Sequence, residues 1–181
     1  MIIGLVGNKR VGKDTCADYL SYNNNFKKYA FAKYLKESLK ILFDWDDNSF
    51  NDDNKESIDL DWNVTPRQMC QDLGSFLRNI NINFHIKRLD KDIQKILLSH
   101  PNTNIIFTDI RYQNELDYVK SLGGVIIKID RNTVLNKYSN HESETSINNL
   151  KGINYTIYNN LSKEDFYNKI NNVVKLSNKL I

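Results

Sequence analysis

The residues with the clearest chemistry form a short segment near the N-terminus, residues 7–15, which reads GNKRVGKDT. Gly7 is followed, after four intervening residues, by Gly12 and Lys13. Glycines at this spacing let backbone N–H groups approach phosphate oxygens without a clash from Cβ, and the lysine can reach the β- and γ-phosphates of a nucleotide. An apolar run precedes the segment and a helical pattern follows it, so the sequence predicts a phosphate-binding loop between a strand and a helix. The residues predicted to bind the triphosphate are Gly7, Asn8, Arg10, Val11, Gly12, Lys13, Asp14 and Thr15.

The hydroxyl residue of this loop stands one position later than in most phosphate-binding loops. Asp14 follows Lys13 directly, and Thr15 comes next. A serine or threonine directly after the lysine usually ligates Mg²⁺. We therefore expect Thr15 to hydrogen-bond the α-phosphate and Asp14 to hold Mg²⁺ through water. The shifted hydroxyl is typical of nucleoside monophosphate kinases and uncommon in switch GTPases.

A second group of polar residues follows the apolar, β-branched run at 104–108. Asp109 ends this predicted strand, where an acid can orient Mg²⁺ through water; capping of the next helix is the alternative. Arg111 lies two residues on, hence on the same side of an extended segment, and can form a bidentate fork on a phosphate. Glu115 is predicted either to orient Arg111 or to be an acid of the first helical turn. Asp109 and Arg111 are thus candidate catalytic residues, together with Lys13 and Asp14 of the loop and Arg131 further along the chain.

Two further arginines could bind the phosphate of a second substrate. Arg67 and Arg78 are eleven residues apart on one predicted helix, which is close to three turns and places them on one face. Together with Gln71 they are predicted to bind an acceptor that carries a doubly charged monophosphate. Ion pairs with Asp72 or Glu56 at the surface are the alternative interpretation of the two arginines.

The polar segment after the predicted strand Val125–Ile129 is a candidate for a closing lid, residues 131–146. Arg131 opens this segment, and a lid arginine would meet the transferring phosphoryl group and exclude water. Residues 141–144 read HESE, which lacks the second histidine at the spacing of zinc proteases, so we expect no zinc site there.

Strand and helix patterns alternate along the whole chain. Strands are predicted at Ile2–Val6, Lys28–Phe31, Asn104–Thr108, Val125–Ile129 and Tyr155–Tyr158, and helices at Lys13–Tyr22, Ala32–Phe43, from Pro66, and at Phe84–Ser99, Gln113–Leu122 and Ser162–Leu180. The alternation predicts an α/β fold, a parallel β-sheet flanked by helices on both faces. Ligands bind beyond the carboxyl ends of such strands, so the phosphate loop and Asp109 share one site if their strands are neighbours. We expect a single domain over residues 1–181, with an acceptor-binding helical region at 44–100 that begins with an acidic surface loop at 44–61.

Composition sets bounds on the function. The chain has 181 residues, 40% of them hydrophobic and 26% charged, as in ordinary soluble globular proteins. A formal net charge of +3 is too small to argue for a nucleic-acid partner. Cys16 and Cys70 make no disulfide framework, and no apolar run approaches the roughly 20 residues of a membrane span. The N-terminus reads as a core strand and not a signal peptide, so we expect a cytoplasmic protein, in the host cytoplasm if its source is a virus.

The chain resembles the deoxynucleoside monophosphate kinases of bacteriophages and large DNA viruses. Six segments carry the resemblance in the order of the family: GNKRVGKDTCADYL, FAKYLK, WNVTPRQMCQDLGSFLR, TDIRYQNELDYVKSLGGVIIKIDR, HESE and YTIYNNLSKEDFYNKI. The resemblance implies a phosphate-loop kinase fold, transfer of the γ-phosphoryl group of ATP to a deoxynucleoside monophosphate, Mg²⁺ as cofactor and a homodimer. It also implies that the phosphates are surrounded by Lys13, Arg67, Asp109, Arg111 and Arg131.

The chain departs from the family at two places. The region between the FAKYLK and TPRQ segments is short, and residues 159–161 read Asn-Asn-Leu where family members often have Asn-Asp-Gly. Two other functions stay open: a kinase of another small phosphate acceptor, such as phosphomevalonate, and a module that binds ATP without transferring phosphate. Candidates for contact with the base are Trp45, Trp62, Gln68, Gln71 and Phe76.

Overall fold

The computed structural model describes residues 1–132 and 146–177. The chain divides into two compact units, which are described separately here. The first, the sheet unit, comprises residues 1–30 and the chain from residue 95 onward; the second, the helical unit, comprises residues 31–94. None of the helices in the described part of the chain is long and apolar enough to cross a lipid bilayer.

A five-stranded parallel β-sheet forms the centre of the sheet unit. Its strands are β1 (Ile2–Val6), β2 (Lys27–Tyr29), β3 (Ile105–Ile110), β4 (Val125–Asp130) and β5 (Tyr155–Tyr158), in the spatial order β2-β3-β1-β4-β5. All four pairs of neighbouring strands are parallel. Because β1 is the central strand, it is covered on both faces, which explains its continuous apolar sequence. The predicted parallel sheet is therefore confirmed.

Three helices of the sheet unit cover the two faces of this sheet: α1 (Lys13–Asn24), α5 (Gln113–Ser121) and α6 (Lys163–Ser177). On one face, Ile3 and Leu5 of β1 pack in one cluster with Leu20 of α1 and Phe166 of α6. Gly4 points to the other face, where a Cβ would lie 3.2 Å from a methyl group of Val119 on α5. Alternate residues of β1 thus contact helices on opposite sides, as the sequence predicts.

The helical unit contains α2 (Lys33–Phe43), a short 3₁₀ helix (Asn48–Phe50), α3 (Pro66–Ile80) and most of α4 (Phe84–Ser99). Its core consists of Leu35 and Leu39 of α2 together with Trp45, against which Met69, Cys70, Leu73 and Leu77 of α3 pack. The amphipathic spacing of these residues explains why α2 and α3 pair.

Residues 44–61 are more structured than the acidic surface loop that the sequence predicts. Trp45 is buried, stacks on Phe43 with 4.4 Å between ring centroids, and donates from Nε1 to Asp59 Oδ2 at 2.6 Å. This hydrogen bond lowers the pKa of the Asp59 carboxyl below its ordinary value. Trp45 is therefore part of the core of the helical unit, and its contact with a base stays a prediction.

Thr65 should stabilise the helical unit by capping α3. Its Oγ1 accepts a hydrogen bond from the Gln68 backbone N–H at 3.0 Å, and Pro66 occupies the first helical position. We expect Thr65→Ala to lower the free energy of unfolding by about 1 kcal/mol. Thr65→Ser, which keeps the acceptor oxygen, is the control. Urea unfolding followed by tryptophan fluorescence is a suitable measurement, since Trp45 and Trp62 both lie in this unit; equal stabilities of the alanine and serine variants would contradict the cap.

Candidate active site

The loop between β1 and α1 has a backbone that depends on two glycines. Gly7 and Gly12 have φ angles of 153° and 110°, which disfavour residues with a Cβ. A Cβ on Gly7 would lie 2.4 Å from the carbonyl oxygen of Ile129 at the end of β4, and one on Gly12 would lie 2.6 Å from Asn159 Nδ2. Close packing against backbone thus requires glycine at position 7, and the backbone conformation favours glycine at both positions.

Lys13 is folded back into this loop. Its Nζ donates to the carbonyl oxygens of Gly7 and Asn8, each at 2.7 Å, and only 8% of the residue is exposed. Since the carbonyls of Gly7 and Asn8 turn towards the ammonium group, Lys13 joins the two ends of the loop. A cation held this way has one defined position at the start of α1, where it can attract a polyphosphate.

The first turn of α1 supplies the backbone donors of the site. Gly12 stands at the N-cap and has no side chain to accept their hydrogen bonds, so the leading N–H groups face outward from the helix end. An anion is favoured there by these N–H groups and by the helix dipole. Asp14 in this turn is exposed and Thr15 is half-buried.

Cys16, one residue further along α1, takes no part in this chemistry. It is fully buried, and desolvation raises the pKa of its thiol to about 12. Because the thiolate is the nucleophilic form, a thiol with this pKa stays protonated and inert at neutral pH.

Strand register brings the second polar group to the same edge of the sheet. Val6 of β1 pairs with Ile110 of β3 on one side and with Lys128 of β4 on the other. Gly7 and Arg111 therefore follow adjacent positions on neighbouring strands, which is the condition for a shared site. One detail differs from the prediction: Asp109 lies within β3, which runs to Ile110, and does not follow the end of the strand.

The backbone of Arg111 is held at both of its polar groups. Glu115 Oε2 accepts the backbone N–H of Arg111 at 2.8 Å and that of Tyr112 at 3.1 Å. The hydroxyl of Ser146 donates to the Arg111 carbonyl oxygen at 2.7 Å. Glu115 is buried, so these two N–H groups stabilise a carboxylate that solvent cannot reach. Glu115 is an acid of the first helical turn, as one interpretation predicted. The same carboxylate also fixes the backbone of Arg111, so the two interpretations do not exclude each other.

Arg67 and Arg78 both lie on α3 in the helical unit, as predicted. Arg67 Nη1 pairs with Glu56 Oε1 at 3.2 Å, which is the ion pair considered as the alternative, and Arg78 Nη1 donates to the carbonyl of Ile82 at 3.4 Å. Eleven residues along a helix correspond to about 16 Å. A single phosphate is therefore within reach of both arginines only if their side chains extend towards each other along the helix. Gln71, on the same helix, is half-buried.

The chain beyond β4 begins at the same edge of the sheet. Arg131 is exposed, and its backbone N–H donates to Asp130 Oδ1 at 2.8 Å. Asn132 follows and donates its backbone N–H to Asn160 Oδ1 at 2.9 Å. The rest of the predicted lid up to residue 145, including residues 141–144, lies outside the described residues.

Asn159 is a site residue that the sequence analysis missed. Its Nδ2 donates to the carbonyl oxygen of Val11 in the phosphate loop at 2.9 Å, although the two residues are 148 positions apart in the chain. The only signal in the sequence was the unusual segment at 159–161, which says nothing about a contact with the loop.

Comparison with known proteins identifies the family. The sequence matches the family described as deoxynucleotide monophosphate kinase over residues 1–64 and 47–170, two overlapping segments. It is also 33% identical to a protein of Acanthamoeba polyphaga mimivirus that carries the name of a deoxynucleotide monophosphate kinase, over 94% of each chain.

Two solved structures share the fold. The dephospho-CoA kinase of Campylobacter jejuni superimposes with a TM-score of 0.54 over 99% of this chain and 98% of its own, at 16% identity. The shikimate kinase of Aquifex aeolicus gives a TM-score of 0.50 over 99% of both chains, also at 16% identity. At these identities the likeness shows the fold, that of phosphate-loop kinases.

Substitution of Glu115 tests the two hydrogen bonds that this residue accepts from the backbone of Arg111 and Tyr112. Glu115→Ala leaves two buried backbone N–H groups without an acceptor, so we expect the free energy of unfolding to fall by about 2 kcal/mol or more. Glu115→Gln keeps an oxygen that can accept both hydrogen bonds and should lose clearly less. Urea unfolding followed by far-ultraviolet circular dichroism measures both variants. Indistinguishable unfolding curves for the two would show that the pair of hydrogen bonds does not stabilise the start of α5.

Proposed function

Because this chain belongs to the deoxynucleotide monophosphate kinase family, we propose that it transfers the γ-phosphoryl group of ATP to a deoxynucleoside monophosphate, giving the diphosphate and ADP. The observation that carries this proposal is the meeting of the phosphate loop and Arg111 at one edge of the sheet. Lys13 in the phosphate loop suits the phosphates of the donor, and Arg111 suits the phosphate of the acceptor.

The donor side of the reaction is assigned to the phosphate loop. Backbone N–H groups of residues 7–15 would bind the triphosphate of ATP, and the Lys13 ammonium would neutralise charge that develops on the β- and γ-oxygens. Little covalent help is needed for this transfer, so the loop would act by positioning and electrostatic stabilisation.

Mg²⁺ is the cofactor that we propose to accompany ATP, and the donor set is compatible with it. Within the described residues there is no group of three or more histidine, cysteine or acidic side chains that could hold a metal ion. Mg²⁺ on a nucleotide takes one or two carboxylates, with water and phosphate oxygens completing its six ligands. Asp14 and Asp109 supply two carboxylates of this kind and would hold the ion through water. The ion would contribute positive charge that offsets the charge of the phosphates.

The acceptor side is assigned to arginines. We expect Arg111 to hold the acceptor phosphate by a bidentate fork, aided by residues of α3, namely Arg67, Gln71 and Arg78. The acceptor is already an anion, so the reaction requires no strong general base. Arg131 is expected to approach the phosphates from the proposed lid, residues 131–146.

A homodimer is part of this proposal. The C-terminal part of α3 and the residues after it expose three large apolar side chains, Phe76, Ile80 and Ile82, each about 60% accessible. Exposed apolar residues in such proximity are typical of surfaces that bind a second chain. The viral relative supports the host cytoplasm as the setting of the enzyme.

An assay of ADP release against a panel of acceptors tests the proposed function. The panel comprises deoxynucleoside monophosphates, ribonucleoside monophosphates and phosphomevalonate. We expect turnover with at least one deoxynucleoside monophosphate. Turnover with phosphomevalonate alone, or ATP binding with no turnover on any acceptor, would contradict the proposal.

Lys13→Met should abolish phosphoryl transfer. The substitution keeps much of the aliphatic chain and removes the ammonium group, so charge on the transferring group loses its stabilisation, typically several kcal/mol of barrier. We expect kcat to fall by about a hundredfold or more, with circular dichroism confirming that the variant is folded. Retention of more than about a tenth of the wild-type kcat, equivalent to a barrier change below roughly 1.4 kcal/mol, would exclude a catalytic role of Lys13.

Arg111→Lys should be strongly impaired although it keeps the positive charge. Lysine is a point charge that cannot form the bidentate fork on a phosphate. Steady-state kinetics with the preferred acceptor should show a higher acceptor KM, a lower kcat, or both. If both constants stay near their wild-type values, Arg111 has a structural role and the acceptor phosphate binds elsewhere.

A further inference from the structure

Asn159 follows β5 directly, and its side chain donates a hydrogen bond to the backbone of the phosphate loop. We propose that Asn159 is a positioning residue that fixes the direction of the Gly12 backbone N–H, so that this N–H donates to a phosphate of ATP. The inference goes beyond the residues assigned above and rests on the proposed binding of ATP. Asn159 would act through the loop and would not touch the nucleotide itself.

The first step of the argument concerns the carbonyl of Val11. This residue is buried, with 1% of its surface exposed, and its carbonyl oxygen accepts from Asn159 Nδ2 at 2.9 Å. A buried carbonyl without a partner is costly, so the bond to the Asn159 side chain determines where this carbonyl points.

The second step follows from peptide geometry. The Val11 carbonyl and the Gly12 N–H belong to the same planar peptide unit, and in a trans peptide the two bonds point in opposite directions. When the carbonyl is held towards Asn159, the N–H is directed to the opposite side of the loop. Gly12 is the N-cap of α1, so this N–H lies directly before the leading N–H groups of the helix.

The third step is that Asn159 is itself rigidly placed. Its backbone N–H donates to the carbonyl of Asp130 at 2.8 Å, which continues the pairing of β5 with β4. Its amide group also lies over Gly12, because a Cβ on that glycine would be 2.6 Å from Nδ2. The side chain is therefore supported by the sheet and fits against a loop position that has no side chain.

The neighbouring residue provides a matched control. Asn160 uses its Oδ1 as an acceptor for the Asn132 backbone N–H at 2.9 Å, whereas Asn159 uses its Nδ2 as a donor. Replacement of either asparagine by aspartate adds the same charge at adjacent positions with little change of shape. Asn160→Asp retains the acceptor oxygen, but Asn159→Asp replaces the donor with an oxygen that repels the Val11 carbonyl.

The experiment measures the affinity of the full chain for ATP and for inorganic tripolyphosphate by isothermal titration calorimetry. Tripolyphosphate has the phosphates of ATP and no adenine. We expect Asn159→Asp to weaken both ligands by about tenfold or more, as for loss of an oriented hydrogen bond to a charged group, and Asn160→Asp to stay within about twofold of wild type. Asn159→Ala should weaken both ligands as well, and serves as the second variant if the aspartate variant does not fold.

Three outcomes would overturn the proposal. Equal weakening by Asn159→Asp and Asn160→Asp would assign the effect to the added charge. Weakening of ATP with unchanged affinity for tripolyphosphate would place Asn159 at the adenine and not at the phosphate loop. Wild-type affinity for both ligands in a folded Asn159→Ala would show that the contact does not position the loop. If the wild-type chain binds neither ATP nor tripolyphosphate, the proposed function fails first, and this result is distinct from the other three.

Discussion

The structure depends on one constraint, the orientation of peptide groups in the loop that follows the central strand. Backbone N–H groups can face an anion only if the carbonyls of the same peptides find partners elsewhere. Lys13 binds the carbonyls of Gly7 and Asn8, and Asn159 binds that of Val11. The end of β4 approaches so closely that residue 7 has no room for a side chain. The parallel sheet with its central β1 is the scaffold that brings these partners together.

The same principle operates at the loop that follows β3. Here a buried carboxylate, Glu115, and a hydroxyl, Ser146, bind the N–H and the carbonyl of Arg111. The charge of Glu115 is thereby satisfied by backbone donors at the start of α5, where the helix dipole also favours an anion. Lys13 and Arg111 thus lie at the same edge of the sheet although the formal net charge of the chain is only +3, because the fold places individual charges locally.

Much of the fold was predictable because its signals are local. The apolar run at Ile2–Val6, the glycine spacing after it and the helix start at Pro66 are each recorded in adjacent residues, and the structure has them as predicted. The failures concern contacts between distant residues. The burial of Trp45 in a stretch of acidic residues requires Asp59 to accept its indole N–H, and the role of Asn159 requires β5 to lie beside β4. The acidic composition around Trp45 predicts a surface loop, and composition gives no information about the contact that Asn159 makes.

The departure of residues 159–161 from the Asn-Asp-Gly common in the resembling family follows from these contacts. Position 159 needs a side-chain donor for the Val11 carbonyl, and an asparagine is kept there. Position 160 supplies only an acceptor oxygen to the Asn132 N–H, which asparagine and aspartate provide equally well. Leu161 has a negative φ and an exposed side chain, so nothing in its backbone requires glycine. The three positions therefore contribute differently to the structure: a side-chain donor at 159, a side-chain acceptor at 160 and no backbone requirement for glycine at 161.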